Sequence, residues 1–248
     1  MRAVSEAVAD DLARLEGRVA ALEVELRESE RRRRRDLDFA ADATAATESA
    51  AYVLEHLAEA RAFHDRFDTL RYCLEEAPRG GMALEFGVFE GATLRVIAEA
   101  RDGEVYGFDS FEGLPETWRP GFAAGAFAVD RLPEVEGAEL VVGRFEATLP
   151  GWLAEHPGPV DLLHVDCDLY GSTVAVLEHV APRLRAGSVV LFDEYFNHPG
   201  WRRGEALAWQ ELVDRTGLMF EFLAYTADDE QVAVRVLDPP GPARTGGE

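Results

Sequence analysis

Residues 82–93 read Met82-Ala83-Leu84-Glu85-Phe86-Gly87-Val88-Phe89-Glu90-Gly91-Ala92-Thr93. An apolar run enters two glycines four apart, and an amphipathic stretch begins directly after them. The pattern predicts a strand over 82–88, a turn, and a helix over 92–100. Glycine at such a turn lets the backbone bend sharply and come close to a ligand. The helix N-terminus beyond it offers unpaired amide donors, which suit an amino-acid carboxylate as well as a phosphate. A tight packing turn with no ligand has the same local signature, so the stretch decides the fold before it decides the function.

The next strands extend the pattern. A strand over 104–109 ends in Phe108-Asp109-Ser110, with Asp109 lying 22 residues after Gly87. An acid about twenty residues beyond a glycine turn is placed to bind ribose hydroxyls. The glycines do not follow Gly-x-Gly-x-x-Gly and no pyrophosphate cradle is evident. A nucleoside with an amino-acid tail therefore fits better than a dinucleotide, which disfavours an NAD-dependent oxidoreductase. A strand over 139–142 leads into Gly143-Arg144-Phe145-Glu146. A third crossing would reach an adenine ring there, making Phe145 and Glu146 candidate contacts, with core packing and a helix cap as the alternative.

A strand over 160–166, a helix near 173–184, a strand over 188–193 and a helix over about 203–216 follow. Two last strands, 219–225 and 231–237, are joined by a short turn and form a hairpin. Short apolar strands alternating with helices predict a mostly parallel sheet covered on both faces, ending in an antiparallel element. The fourth strand runs into His164-Val165-Asp166-Cys167-Asp168 and the fifth into Phe192-Asp193-Glu194-Tyr195. Neighbouring parallel strands bring these ends to one crevice, where ligands of open α/β sheets bind. Converging carboxylates repel unless they share a cation or a proton. The acids therefore either hold a hard divalent ion such as Mg²⁺ or include a carboxylate general base.

Ahead of this core, Val8, Leu12, Leu15, Val19, Leu22 and Leu26 alternate steps of four and three. That is the a/d spacing of a coiled coil, and residues 1–38 are expected to form a dimerisation helix or an amphipathic helix lying on its own domain. Residues 41–80 read as a helical cap, 81–237 as the core, and 238–248 as a Pro/Gly-rich disordered tail. The net charge of -22 argues against a nucleic-acid backbone as partner, since phosphate binding needs a basic surface. No apolar run is long enough for a membrane span, and no secretory leader is expected. Cys73 and Cys167 make no metal or disulfide framework, which points to a reduced, cytoplasmic setting.

Glu85-Phe-Gly-Val-Phe-Glu-Gly, Tyr106-Gly-Phe-Asp-Ser-Phe-Glu-Gly-Leu-Pro, His164-Val-Asp-Cys-Asp-Leu-Tyr-Gly-Ser-Thr and Phe192-Asp-Glu-Tyr together resemble the macrocin O-methyltransferase family, over about residues 45–237. Members methylate hydroxyls of sugars and other groups on bacterial natural products. The resemblance implies an α/β, Rossmann-like class I methyltransferase fold with seven strands, the last antiparallel, and S-adenosylmethionine as cofactor. On that basis Glu85, Gly87, Gly91 and Thr93 are expected at the cofactor, with Asp109, Ser110, Phe145, Glu146 and Asp166. Magnesium-dependent members carry an acid ending strand four and an Asp-Asp pair ending strand five. Asp166 and Asp193 match, and Glu194 stands where the second Asp is expected. These three are the candidate ligands of Mg²⁺.

Methyl transfer to an alcohol needs the hydroxyl held about 3 Å from the methyl carbon and in line with it, and it needs a proton acceptor. The chain has no lysine, so the base is Asp166, Asp168, His198 or a metal-bound group, with Asp166 the first choice. The Gly/Pro-rich stretch 111–136, with Trp118, Phe122 and Phe127, is expected to be a lid, and Trp201 and Tyr195 are further pocket candidates. The expected acceptor is a small hydroxyl-bearing sugar or glycosylated metabolite. Methylation of cell-surface polysaccharide sugars, or a non-catalytic dimeric scaffold, are the alternatives.

Overall fold

A computed structural model of the chain describes residues 2–241, with side chains from residue 11 onward. Residues 242–248, most of the expected disordered tail, and the side chain of Val8 in the heptad seam lie outside the described residues. Helix α1 (Arg2–Arg35) carries the seam, and Leu12, Leu15, Val19, Leu22 and Leu26 are each more than half exposed. Asp36 ends the arginine run and caps α2 (Leu37–His56), its carboxylate accepting from the N–H groups of Asp38 and Phe39.

The core alternates strands and helices: β1 (Arg61–Phe63), α3 (Arg66–Glu76), β2 (Met82–Phe86), α4 (Ala92–Ala100), β3 (Val105–Asp109), β4 (Glu139–Val142), α5 (Phe145–Glu155), β5 (Val160–Val165), α6 (Tyr170–Val180), β6 (Leu184–Phe192), α7 (Glu205–Thr216), β7 (Met219–Thr226) and β8 (Val232–Asp238). They form one sheet in the order β1-β7-β8-β6-β5-β2-β3-β4, with β8 antiparallel to both its neighbours. The sheet has eight strands rather than the seven expected. β1, inside the stretch expected to be purely helical, adds a parallel edge to β7. Three residues are too few to show a strand period. Helix α5 also went unread, because Pro150 lies inside it and proline normally breaks the helical pattern.

Every residue of β2 and β5 is buried, as expected for strands covered on both faces. Successive side chains point to opposite faces. Leu163, Val165, Val190 and Phe192 pack with Leu149, Val176 and Trp209 of α5, α6 and α7. Leu162, Val189 and Leu191 pack on the other side with Leu70, Leu74, Leu94 and Ile97 of α3 and α4. The strand order reverses between β2 and β5, so a crevice opens outside their carboxyl ends. No helix of the described residues is long and apolar enough to cross a membrane, and both cysteines are buried and free.

Candidate active site

A cleft of about 340 Å³ occupies that crevice. Five strand ends supply it. Gly87 follows β2, Asp109 and Ser110 end β3, and Gly143, Phe145 and Glu146 follow β4. On the other side stand Asp166 and Asp168 after β5, and Asp193 and Glu194 after β6.

The glycine turn is shaped by what it touches. Gly87 has φ +93°, and a Cβ there would sit 1.5 Å from the carbonyl oxygen of Asp166. The turn and the end of β5 are therefore in backbone contact, which only glycine allows. Asp109 ties the turn down from the third side. Its Oδ2 accepts from the N–H groups of Val88 and Phe89 at 2.8 and 2.9 Å, and its Oδ1 from Phe111 at 2.7 Å. A carboxylate offers about four acceptor positions, so little more than one remains for a ligand hydroxyl. Three non-glycine residues lining the cleft, Phe89, Phe127 and Asp168, have φ of 48°, 67° and 60°. Backbone strain of this kind collects at functional sites.

Not every expected residue reaches the cleft. Glu85, Gly91 and Thr93 are buried away from it. Glu85 faces His164 across the β2–β5 register, and its Oε1 lies 2.9 Å from His164 Nδ1. The other ring nitrogen of His164 lies 3.4 Å from Asp193 Oδ1. Burial lowers the affinity of His164 for a proton, but the bonds to Asp193 and Glu85 outweigh it and raise its pKa to about 10. An imidazolium thus lies beneath the cleft floor. Burial pushes Asp193 up, yet His164 and Arg66 together hold it below the usual carboxylate range.

His198, expected as a base, does not line the cleft. It sits in a neighbouring depression against Trp118, its ring nitrogens 3.3 Å from the carbonyl oxygens of Pro199 and Glu194, and burial lowers its pKa. Tyr195 and Trp201 are core residues instead of pocket residues. Both are buried, Tyr195 bonded to the Tyr52 hydroxyl at 3.2 Å and Trp201 packed on the Tyr52 ring. The stretch 111–136 does cover the cleft, through Leu114, Trp118, Phe122 and Phe127. Arg119 Nη1 clasps it to the β7–β8 turn, donating to both carboxylate oxygens of Glu230 at 2.8 and 2.9 Å.

The acids differ in state. Burial, then the charge of Asp193, raise Asp166 well above the normal range. Burial, again followed by Asp193, raises Glu194 likewise. Asp168 is raised by the same two causes to about 7, and among the described residues no hydrogen bond engages its carboxylate. Glu194 donates its backbone N–H to Glu205 Oε2 at 2.9 Å, while its own Oε2 is buried without a partner.

The sequence reading missed Arg66. From the first turn of α3 its Nη2 reaches 3.1 Å from Asp193 Oδ2 and 3.9 Å from Asp166 Oδ2. The ligand-type atoms of His164, Asp166 and Asp193 lie within 4.8 Å of one another, and Glu194 is not part of that group. Asp193 Oδ1 accepts from Gln231 Nε2 and faces His164, Oδ2 is ion-paired with Arg66 at 3.1 Å, and both His164 nitrogens are engaged. Neutral imidazole and free carboxylate oxygens are what a metal ion needs. As they stand, these residues do not fit a hard divalent ion.

Residues 84–195 match the model of a methyltransferase domain. A calicheamicin methyltransferase of known structure is 29% identical, over 68% of this chain and 76% of that one, with a TM-score of 0.52. The O-methyltransferase NovP is 26% identical over 69% and 79%, with a TM-score of 0.54. The fold is the Rossmann-like class I methyltransferase fold. Among curated proteins, a tetracenomycin-series rhamnosyl 4'-O-methyltransferase of Streptomyces olivaceus is 33% identical over 52% of this chain and 60% of that protein. Mycinamicin III 3''-O-methyltransferase of Micromonospora griseorubida is 30% identical over 52% and 62%. The chain spans about three fifths of the length of these curated relatives. In this methyltransferase fold the matched segment begins inside β2 and stops just after β6, so α3 and Arg66 lie outside it.

Proposed function

We propose that the chain is an S-adenosylmethionine-dependent O-methyltransferase whose acceptor is a sugar hydroxyl on a small natural product, in the manner of the macrocin O-methyltransferase family. The carrying observation is the backbone contact of the Gly87 turn with the end of β5. It sets a glycine-and-acid nucleoside wall directly against a carboxylate wall. Bound S-adenosylmethionine supplies an electrophilic methyl group on a sulfonium sulfur. The Gly87 turn would lie along the amino-acid end, Asp109 and Ser110 would accept from ribose hydroxyls, and Phe145 and Glu146 would flank the adenine. The aromatic lid excludes water from the acceptor.

Asp168 is the base. Its carboxylate faces the cleft with no competing hydrogen bond among the described residues, and an acceptor near pH 7 is matched to the task. It would take the proton of the acceptor hydroxyl, readying that oxygen for the methyl group that bound S-adenosylmethionine would supply. Asp166, the first choice from sequence, is raised further and shares the Arg66 guanidinium, which suits it to positioning. The exposed heptad seam of α1 supports a homodimer through that helix.

Titration calorimetry with S-adenosylhomocysteine tests the main reading. Micromolar binding is expected, weakened at least tenfold in Asp109→Asn and in Asp109→Ala. A folded wild-type chain that releases no heat would sink the reading and favour a scaffold.

A further inference from the structure

Four carboxylates, Asp166, Asp168, Asp193 and Glu194, line one wall of the cleft, and such a group is relieved by shared protons or by a cation. The family resemblance assigns that charge to a divalent ion. The geometry offers a different source. The Arg66 guanidinium stands between the ends of β5 and β6, 3.1 Å from Asp193 and 3.9 Å from Asp166.

We propose that Arg66 is the resident cation of this site, standing in for a divalent metal ion across Asp166 and Asp193, so that methyl transfer in this chain proceeds without a metal. The idea rests on the methyltransferase reading above and adds to it the identity of the cation.

Three features carry it. The Asp193 carboxylate is crowded by donors, because Oδ1 accepts from Gln231 and lies 3.4 Å from His164 Nε2, while Oδ2 lies 3.1 Å from the Arg66 guanidinium. His164 completes the compact ligand group but has both ring nitrogens committed to Glu85 and Asp193. Glu194, the acid expected to finish an Asp-Asp pair, lies outside that group, with its Oε2 buried and unbonded. Guanidinium keeps its charge at every relevant pH and matches carboxylates through a planar fork of donors. Arg66 Nε–H is itself buried without a partner among the described residues, so the guanidinium keeps donor capacity beyond its ion pairs. Arg66 is thus a positioning residue. It holds Asp166 and Asp193 together and leaves Asp168 free to take the proton.

The probe is Mn²⁺, followed by the loss of its free paramagnetic signal on addition of the full chain. Wild type should leave millimolar Mn²⁺ free, and its melting temperature should not move with Mg²⁺. Arg66→Ala should gain one Mn²⁺ per chain, lost again when Asp193→Asn is added. Arg66→Lys should exclude the ion as wild type does. Stoichiometric Mn²⁺ binding by wild type, abolished by Asp193→Asn, overturns the proposal, and needs no variant to fold beyond that one. An Arg66→Ala chain that folds and stays metal-free also overturns it. S-adenosylhomocysteine calorimetry on the same preparations judges the methyltransferase reading separately, since its outcome does not depend on which cation bridges the acids.

Discussion

Gly87 shows at the scale of one residue why the two walls of the cleft cannot drift apart. Any side chain there collides with the main chain of Asp166, so the turn and the strand end keep one spacing. Asp168 stands at the end of the same strand with φ 60°, aimed into the cleft. Its pKa of about 7 makes a directional prediction. As the base it works deprotonated, so kcat/KM should rise with pH through about 7 and level off above. Asp168→Asn should lower the rate by roughly 10²–10⁴-fold, the usual contribution of a general base, and flatten the profile. A variant that keeps both the rate and the inflection excludes Asp168. Legibility also divides at this scale. Asp109, Asp166 and Asp193 declare themselves as acids ending apolar strands. Arg66 gives no such signal, being one of many arginines and 100 residues before Asp166. The clue available was indirect: a chain without lysine that gathers four carboxylates must find a cation somewhere.

Among the elements, α1 and the lid show two ways of using exposed apolar residues. The aromatics of 111–136 pack on one another beside the cleft. Phe122 and Phe127 stack at 5.3 Å, Phe127 meets Phe89 at 5.6 Å, and the Arg119–Glu230 pair anchors the flap. The α1 seam turns outward, and among the described residues nothing covers it. A helix of this kind is marginal alone and gains most of its stability from a partner. Leu15→Glu with Leu22→Glu should therefore convert a dimer to a monomer in sedimentation equilibrium while leaving S-adenosylhomocysteine binding unchanged. A wild type that sediments as a monomer would remove the dimer. The seam, the glycine turn and most strands were legible because each rests on local periodicity. β1 and α5 were not, one being too short to show a period and the other carrying a proline.

For the whole molecule, charge is the governing quantity. The chain carries -22, and a fully buried histidine lies between two acids. His164 has its pKa raised from 6.5 to about 10 in the fold. A raised folded value means its contribution to stability is fully present below about pH 6.5 and is lost as the pH climbs toward 10. Asp168, raised from 3.8 to about 7, likewise costs stability as the pH rises through that window. The denaturation midpoint should fall steadily from pH 6.5 to 10 in wild type. In His164→Asn it should start lower and change less over that range. Parallel curves for the two chains would show that His164 is not the linked group.

The sequence by itself determined most of the order of strands and helices, the glycine turn with its acid 22 residues on, and the gathering of carboxylates at one edge of a parallel sheet. These follow from periodicity and from backbone rules that act over a few residues. Only the tertiary structure decided what each acid touches. Register sets Glu85 beside His164 and removes it from the cleft. The packing of α3 on the sheet delivers Arg66 to Asp166 and Asp193. The backbone path after β6 takes His198 to another depression. The physical reason is that a carboxylate's protonation and partners depend on charges within a few ångströms, and those charges come from parts of the chain that no local pattern connects.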